Sequence, residues 1–175
     1  MTEPQPPTHV VLVGLMGTGK TTVGRRVART LGWPMSDSDA SIEASEGRTA
    51  RTIRDTDGVD AIHELEYRHL LSALAGPGPV VVCPAASVVD DEACREALNG
   101  DGILVAWLTA RPETAAARFD DQAHRPRYGD DPLTFLAEHA TRRDPWFREI
   151  ADLVLETDDA TPDELAAAIV VRVRA

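Results

Sequence analysis

The residues best suited to do chemistry lie close together near the start of the chain. Residues 14–21 read GLMGTGKT and fit the pattern G-x-x-x-x-G-K-S/T. In such a loop the backbone N–H groups surround the phosphates of a nucleotide, and the lysine ammonium reaches the β- and γ-phosphate oxygens. Lys20 is the only lysine in the chain, whose other fixed cations are all arginines. The pattern therefore predicts a nucleotide-phosphate site, and the alternative is a glycine-rich turn that binds no ligand.

This loop needs a strand before it and a helix after it. Residues 9–13 form a short, mostly β-branched apolar run that predicts the strand. Val23, Val27 and Leu31 share one face of a helix over residues 20–31, which Gly32 ends. Because both flanking elements are predicted, eight residues become candidate nucleotide contacts: Gly14, Met16, Gly17, Thr18, Gly19, Lys20, Thr21 and Thr22.

The rest of the chain alternates between predicted strands and helices. Strands are expected at residues 9–13, 34–36, 79–83, 102–108 and 152–156. Helices are expected near residues 20–31, 38–46, 59–75, 90–98, 111–118, 132–142 and 161–173. This alternation predicts an α/β fold with a parallel sheet covered by helices on both faces. We expect one domain over residues 9–175 after a disordered, proline-containing tail over residues 1–8.

Composition limits the partners that the protein can have. The chain has 175 residues, 43% of them hydrophobic, and a formal net charge of −11. A strongly acidic chain is a poor partner for nucleic acid or an anionic membrane. The sequence contains neither a signal peptide pattern nor an apolar run that could span a bilayer, so we expect a cytoplasmic protein, with a monomer as the default. Cys83 and Cys94 are expected to be buried, reduced thiols.

A polar segment without periodicity follows the fifth predicted helix. Residues 117–131 read ARFDDQAHRPRYGDD and include Arg118, Arg125 and Arg127. Phosphoryl transfer needs cations over the transferring group and exclusion of water. The segment therefore predicts a mobile lid over about residues 119–131. The alternative is a solvated surface loop whose arginines pair with its own aspartates.

Further segments make the chain resemble the shikimate kinase family from Val11 to about Val171. The family follows its phosphate loop with D-x-D-x-x-I-E, and residues 37–43 read DSDASIE. The register continues through GRT at 47–49, DG at 57–58, Glu66, Arg125-Pro126 of the lid motif, and RDPWF at 143–147. The resemblance implies a P-loop kinase with a three-layer α/β/α sandwich, a five-stranded parallel sheet and a mobile lid.

The resemblance also implies a role for each matching residue. Lys20 and the loop amides would bind the phosphates of ATP, while Thr21 and Asp37 would hold Mg²⁺ directly or through water. Asp39 would orient the acceptor hydroxyl and take its proton. The adenine would stack between Arg118 and Pro162, and Arg125 would stabilise the transferring phosphoryl group. The catalytic residues would thus be Lys20, Asp39 and Arg125; the alternative for Asp37 and Asp39 is capping of a helix.

The acceptor side departs from the family pattern. Pro84, Ala85 and Ala86 replace a turn of three glycines, so the turn loses an N–H donor and gains Cβ atoms. His63 stands where the family has a substrate-binding arginine, and Arg54 where it has an aromatic residue. The candidate acceptor contacts are Asp39, Arg54, His63, Ala85, Ala86 and Arg143, and a plain helix-surface histidine is the alternative for His63.

Three functions fit these residues. The favoured one is a kinase that moves the γ-phosphoryl group of ATP to a hydroxyl of a small, anionic, polyol-like acceptor. The second is an authentic shikimate kinase whose altered pocket is compensated, for example by Arg54. The third is a non-catalytic regulatory protein that binds nucleotide and has lost its acceptor site.

Overall fold

One parallel sheet organises the molecule. The structure, a computed structural model, describes residues 6–118 and 131–175. Its strands are β1 (His9–Val13), β2 (Met35–Asp37), β3 (Val80–Cys83), β4 (Ile103–Thr109) and β5 (Leu153–Glu156). They are all parallel and lie in the spatial order β2-β3-β1-β4-β5. Each strand boundary lies within one residue of its predicted position, and the α/β fold class is confirmed.

The central strands are apolar because both faces of the sheet are covered. All five residues of β1 are buried, and β1 pairs with β3 on one side and β4 on the other. A parallel strand that is covered on both faces has no solvent side, so its sequence shows a continuous apolar run rather than an alternation. This arrangement fixes the end of β1, from which the phosphate loop starts.

Eight α-helices and one 3₁₀ helix occur in the described ranges. They are α1 (Lys20–Leu31), α2 (Ser38–Glu46), α3 (Ala50–Asp57), α4 (Val59–Ala75), the 3₁₀ helix Ala86–Asp90, α5 (Glu92–Leu98), α6 (Pro112–Arg118), α7 (Pro132–Ile150) and α8 (Pro162–Arg174). The predicted capping box of α8 is present: the Thr161 hydroxyl accepts from the Glu164 N–H, and the Glu164 carboxylate accepts from the Thr161 N–H.

Two apolar clusters make the layers. On one face of the sheet, Val23 and Val27 of α1 pack with Ile169 of α8. On the other face, Leu70 of α4 and Phe147 of α7 belong to a second cluster that also includes residues of α5. The two clusters give the three-layer α/β/α architecture that the resemblance implies.

The structure corrects two helix predictions. The sequence pattern missed α3, whose buried apolar residues are only Ala50 and Ile53. The predicted end of the long helix at residue 142 was also wrong, because α7 continues through Pro145 to Ile150. A proline inside a helix costs about 3 kcal/mol. Complete burial of Phe147 and near-complete burial of Ile150 offset that cost, since each apolar side chain contributes about 1.5–3 kcal/mol.

Two predicted segments extend beyond the described residues. Residues 1–5 of the expected tail and residues 119–130 of the expected lid lie outside them. Within the described ranges, Thr8 already bonds through its backbone to Gly102 and Val80, beside the start of β1. The same ranges contain no helix with both the length and the apolar content needed to cross a bilayer. Cys83 and Cys94 are both buried, unbridged thiols, as predicted.

Candidate active site

A cleft of about 710 Å³ opens at the carboxyl ends of β1, β2 and β3. In α/β proteins this edge of the sheet is where ligands bind. The cleft brings together nearly all the predicted site residues that the structure describes: Met16, Gly17, Thr18, Gly19, Lys20, Thr21, Thr22, Asp37, Asp39, Arg54, His63, Ala85, Ala86, Arg118, Arg143 and Pro162. Gly14 lies just behind this lining. Arg125, predicted to be catalytic, lies outside the described residues.

The phosphate loop depends on its glycines in different ways. Gly14, Gly17 and Gly19 all have positive φ angles. A Cβ on Gly14 would lie 2.2 Å from the backbone oxygen of Leu108, and one on Gly17 would lie 2.3 Å from that of Ala115. A Cβ on Gly19 would meet nothing within 4 Å. The first two glycines are therefore required by space and conformation together, whereas Gly19 is required by conformation alone.

The lysine side chain is held inside this loop. Lys20 Nζ donates to the carbonyl oxygens of Gly14 at 2.7 Å and Leu15 at 3.0 Å. The buried Thr18 hydroxyl also donates to the Leu15 oxygen, at 2.8 Å. Helix α1 begins at Lys20, so its unpaired N-terminal N–H groups and the ammonium face the same part of the cleft. This combination suits a phosphate chain.

The predicted metal ligands lie in contact. The Thr21 hydroxyl donates to Asp37 Oδ2 at 2.8 Å, while Asp37 Oδ1 caps α2 by accepting from the N–H of Ala40 at 3.5 Å. A hydroxyl and a carboxylate are the hard oxygen donors that Mg²⁺ prefers, with its other ligands coming from phosphate and water. The donors therefore fit Mg²⁺, and Asp37 caps its helix as well.

The two residues predicted to flank adenine both line the far end of the cleft. Arg118 ends α6 and donates to Thr157 twice, from Nη1 to the hydroxyl at 2.9 Å and from Nη2 to the carbonyl at 2.6 Å. Pro162 is the first residue of α8. The bonds to Thr157 hold the guanidinium beside the loop that precedes α8.

Two carboxyl groups mark the centre of the cleft. Asp39 lies in the first turn of α2, and Glu66 comes from α4. The Ser87 hydroxyl donates to Glu66, whose pKa burial raises to about 7; the bond to Ser87 opposes that rise, and the charge of Asp39 adds to it. Burial therefore favours the protonated form of Glu66 at pH values where an exposed glutamate is ionised.

Helix α3, which the sequence analysis missed, carries Arg54 to the cleft. Thr49 caps its start by accepting from the N–H of Thr52 at 3.1 Å. Arg48 forms a two-bond ion pair with Asp57 at the other end, at 3.1 and 2.8 Å. Residues 47–49 and 57–58, the GRT and DG segments of the sequence pattern, therefore lie at the two ends of this helix and stabilise it.

The substituted turn after β3 also borders the cleft. Pro84 and Ala86 are buried and Ala85 is partly buried, and Ala86 begins the 3₁₀ helix. Pro84 has no N–H, so it offers a ligand only its carbonyl oxygen. Ser87, the next residue, is the partner of Glu66. The turn thus contributes apolar walls and a buried hydroxyl.

Arg143 has a carboxylate partner that the sequence analysis did not foresee. Its side chain is almost fully buried, and it donates to Asp90 from Nε at 3.0 and 3.2 Å and from Nη2 at 2.6 Å. The neighbouring Arg142 reaches the same carboxylate at 3.2 Å. Burial alone would raise the pKa of Asp90, but the hydrogen bonds and charge of Arg143 outweigh it and lower the pKa.

The histidines near Arg143 are neutral at pH 7. Burial, followed by repulsion from Arg143, lowers the pKa of His63 below its usual value. The same two causes, with Arg142, lower the pKa of His139 to about 4. Both side chains line the cleft, so they offer hydrogen bonds there and no positive charge.

Known proteins match this chain along most of its length. The family model for shikimate kinase matches residues 16–174. The chain belongs to the shikimate kinase family. It is a small-molecule kinase, a transferase that acts on a hydroxyl group.

Individual members of the shikimate kinase family agree with this match. The shikimate kinase of Symbiobacterium thermophilum is 37% identical over 164 residues, which cover 92% of this chain and 93% of that one. That of Halorhodospira halophila is 36% identical over 165 residues, covering 94% and 92%. A solved shikimate kinase from Acinetobacter baumannii, in complex with shikimate, superposes with a TM-score of 0.87 at 30% identity, covering 93% of this chain and 90% of that one.

Sequence analysis missed three functional candidates in this shikimate kinase family member: Ser87, Asp90 and His139. Ser87 and Asp90 act through partners distant in sequence, Glu66 and Arg143, so no spacing rule connects them. The only indication of Asp90 in the sequence was an acidic residue shortly after the turn formed by residues 84–86. His139 lies on α7, one turn before Arg143, and that helical spacing was visible in the sequence.

Proposed function

We propose that the protein transfers the γ-phosphoryl group of ATP to a hydroxyl group of a small, polyol-like acceptor. A bond forms between the acceptor oxygen and the γ-phosphorus, and the bond to the β,γ-bridging oxygen breaks. The electron pair of that bond stays on ADP, and the hydroxyl proton passes to Asp39. The observation that carries the proposal is the shared cleft that Lys20, the Thr21–Asp37 pair and Asp39 all line.

In this proposal the phosphate loop holds the donor. Lys20 and the N–H groups at the start of α1 bind the β- and γ-phosphates and offset the negative charge that the transfer moves. Thr21 and Asp37 would hold Mg²⁺, which supplies further charge neutralisation when bound. Arg118 and Pro162 bind adenine, and Arg125 belongs to the proposal as the lid cation over the transferring group.

Asp39 is the proposed base. It lines the cleft from the first turn of α2, the helix that Asp37 caps. A carboxylate at this place orients the nucleophile and accepts its proton, a contribution of about 10²–10⁴-fold in rate. Glu66 is less suited to this role, because burial raises its pKa to about 7 and the Ser87 hydroxyl already donates to it.

The acceptor occupies the other half of the cleft in this proposal, near Arg54, His63, Ala85, Ala86 and Arg143. Shikimate is a second candidate acceptor, favoured by the names of the relatives and by the shikimate complex of the Acinetobacter baumannii enzyme. The anionic character expected of the acceptor rests on the cationic residues, and Arg143 already has the carboxylate of Asp90. We further propose a monomeric, single-domain enzyme over residues 9–175 that works in the cytoplasm.

The test replaces the proposed base. Asp39→Asn removes the proton acceptor but keeps the shape of the side chain, so acceptor-stimulated ADP release should fall about 10²–10⁴-fold. Affinity for ATP with Mg²⁺ should stay within about 2-fold, because Asp39 is not among the proposed phosphate or metal ligands. Both quantities are measured on the same samples, by a coupled ADP assay and by calorimetric titration.

Asp60→Asn is the matched control, since Asp60 is an exposed aspartate in the first turn of α4 and does not line the cleft. It should behave like the unchanged protein. Full acceptor-dependent activity in Asp39→Asn would rule out Asp39 as the base. ATP binding without a phosphorylated product from any acceptor would instead favour the regulatory alternative.

A further inference from the structure

Two arginines of α7 share one carboxylate at the acceptor half of the cleft. Arg143 donates to Asp90 from Nε at 3.0 Å and from Nη2 at 2.6 Å, and Arg142 donates to the same carboxylate from Nη2 at 3.2 Å. Both arginines line the cleft, whereas Asp90 is not one of the described residues that line it. Asp90 therefore holds the two guanidinium groups side by side from outside the lining.

This cluster carries a net positive charge. Arginine side chains stay protonated at any ordinary pH, and the lowered pKa of Asp90 keeps its carboxyl group ionised at pH 7. His63 and His139 are neutral at that pH, because burial and the nearby arginines lower their pKa values. Two cations and one anion leave one positive charge on this wall of the cleft, and Arg142 is the residue that supplies the excess over the Arg143–Asp90 pair.

Each guanidinium group also keeps a donor that Asp90 does not use. Among the described residues, Arg143 donates only from Nε and Nη2, and Arg142 donates only from Nη2. No acceptor within those ranges bonds to Nη1 of either side chain. Arg143 is only 3% exposed, and a buried donor is costly to leave without a partner. A carboxylate can accept from both side chains at once, because its two oxygens offer about four acceptor positions.

The other charged groups of this half favour the same place for an anion. Asp39 and Glu66 lie at the centre of the cleft, where a further carboxylate would be repelled. Arg54 reaches the cleft from α3 and is the other cation available to an anion there. Arg142 and Arg143 differ from Arg54 because one carboxylate fixes them next to each other, so a ligand meets two cations that are already in place.

We infer that Arg142 and Arg143, which Asp90 holds side by side, together bind the negatively charged group of the acceptor. The inference rests on the proposed function, whose acceptor it describes, and it adds Arg142 to the acceptor contacts expected from the sequence. The alternative is that Arg142 forms only a surface ion pair with Asp90, since its side chain is 58% exposed and such pairs contribute little to stability. In that case Arg142 does not distinguish a charged acceptor from an uncharged one.

The experiment compares two probes that differ in one charge, shikimate and its uncharged methyl ester. Calorimetric titration in the presence of ADP and Mg²⁺ gives the affinity of each for the unchanged protein and for Arg142→Gln. The unchanged protein should bind the acid more tightly than the ester. Arg142→Gln should bind the acid at least about 10-fold more weakly, because a charge-assisted hydrogen bond is lost, and its affinity for the ester should change less than about 2-fold.

Two further variants sharpen this test. Arg148→Gln is the matched control, since Arg148 is an exposed arginine of the same helix and does not line the cleft. It should leave both affinities unchanged. Arg54→Gln removes the rival cation, and its loss of affinity for the acid should be smaller than that of Arg142→Gln. Melting temperatures of all four proteins identify any variant that has not folded.

Three results overturn the inference. One is a folded Arg142→Gln that binds the acid as the unchanged protein does, or that loses affinity for acid and ester equally. Another is a larger loss of acid affinity in Arg54→Gln than in Arg142→Gln. The third is an unchanged protein that binds no shikimate at millimolar concentration, because two adjacent cations in the cleft should hold a small hydroxy acid. Failure of the proposed function looks different: the expected binding differences appear, but no acceptor yields a phosphorylated product.

Discussion

The two halves of the cleft are built in different ways. The phosphate-binding part of the nucleotide half consists of one continuous loop and the start of α1, with glycines at positive φ and backbone groups that face the cleft. The acceptor half takes side chains from α2, α3, α4, α7 and the turn after β3. A backbone site dictates residue types at fixed spacing, whereas a side-chain site changes with any one of its contributors.

This difference fits the expectation from the sequence that the nucleotide half keeps the family pattern and the acceptor half departs from it. Changing Gly17 would push a Cβ to 2.3 Å from a backbone oxygen, so that position allows little variation. Arg54 and Arg143 line the acceptor half with their side chains, so changing either one alters the charge that an acceptor meets. The backbone therefore fixes the residue types of the phosphate loop, whereas single side chains set the charge of the acceptor half.

A large loss in both rate and ATP affinity is expected from a change in the nucleotide half. Lys20→Ala removes the ammonium that the loop holds against Gly14 and Leu15, and with it the charge beside the β- and γ-phosphates. The rate of acceptor-dependent ADP release should fall about 10²–10³-fold. Affinity for ATP should fall at least about 10-fold, because a charge-assisted hydrogen bond is lost. Steady-state kinetics and calorimetry measure the two losses.

Arg54→Ala is the matched change in the acceptor half. It also removes a cation from the cleft, but from the wall formed by α3. Affinity for ATP should then stay within about 2-fold of the unchanged protein. If Arg54→Ala weakened ATP binding as strongly as Lys20→Ala, the division of the cleft into two halves would be wrong.

A smaller effect concerns stability and pH. Because the pKa of Glu66 in the folded protein, about 7, lies above its ordinary value of 4.5, the folded state holds a proton that the unfolded state releases between those values. The free energy of unfolding should therefore fall as pH rises from 5 to 8, by roughly 2–3 kcal/mol from this group. Glu66→Gln cannot titrate, so it should lose this part of the pH dependence.

Urea unfolding at pH 5 and pH 8 measures the difference between Glu66→Gln and the unchanged protein. The buried histidines have lowered pKa values and act in the opposite direction, but they affect both proteins alike and cancel in the difference. Glu64→Gln, on the exposed side of the same helix, should run parallel to the unchanged protein. A difference that does not change with pH would show that Glu66 titrates normally.

Most of the fold was predictable because its signals are local. Apolar runs at β1, β3 and β4, and the capping box of α8, need only neighbouring residues to be recognised. Helix α3 was missed because eight residues with two buried apolar positions are too few to show a helical period. The end of α7 was predicted too early because the cost of Pro145 is visible in sequence, while the burial of Phe147 that offsets it is not.

The site residues also divide into those that a local pattern predicts and those that depend on tertiary packing. Glycine spacing and the lysine predicted the nucleotide half, and the Thr21–Asp37 contact followed from a family motif. The bond between Arg143 and Asp90 joins residues 53 positions apart, on α7 and at the end of the 3₁₀ helix. Such a contact depends on how helices pack, so no spacing of residues in the sequence predicts it. The sequence therefore could not show which carboxylate pairs with Arg143 in the acceptor half.

The central claim is that the nucleotide half of the cleft serves a working acceptor half. The most direct measurement is release of ADP from ATP and Mg²⁺ with a panel of neutral polyols and sugar acids, including shikimate, with mass spectrometry of the products. An acceptor should accelerate ADP release, and one phosphorylated product should appear for each ADP. Tight ATP binding with the same slow ADP release for every compound, and no phosphorylated product, would contradict it.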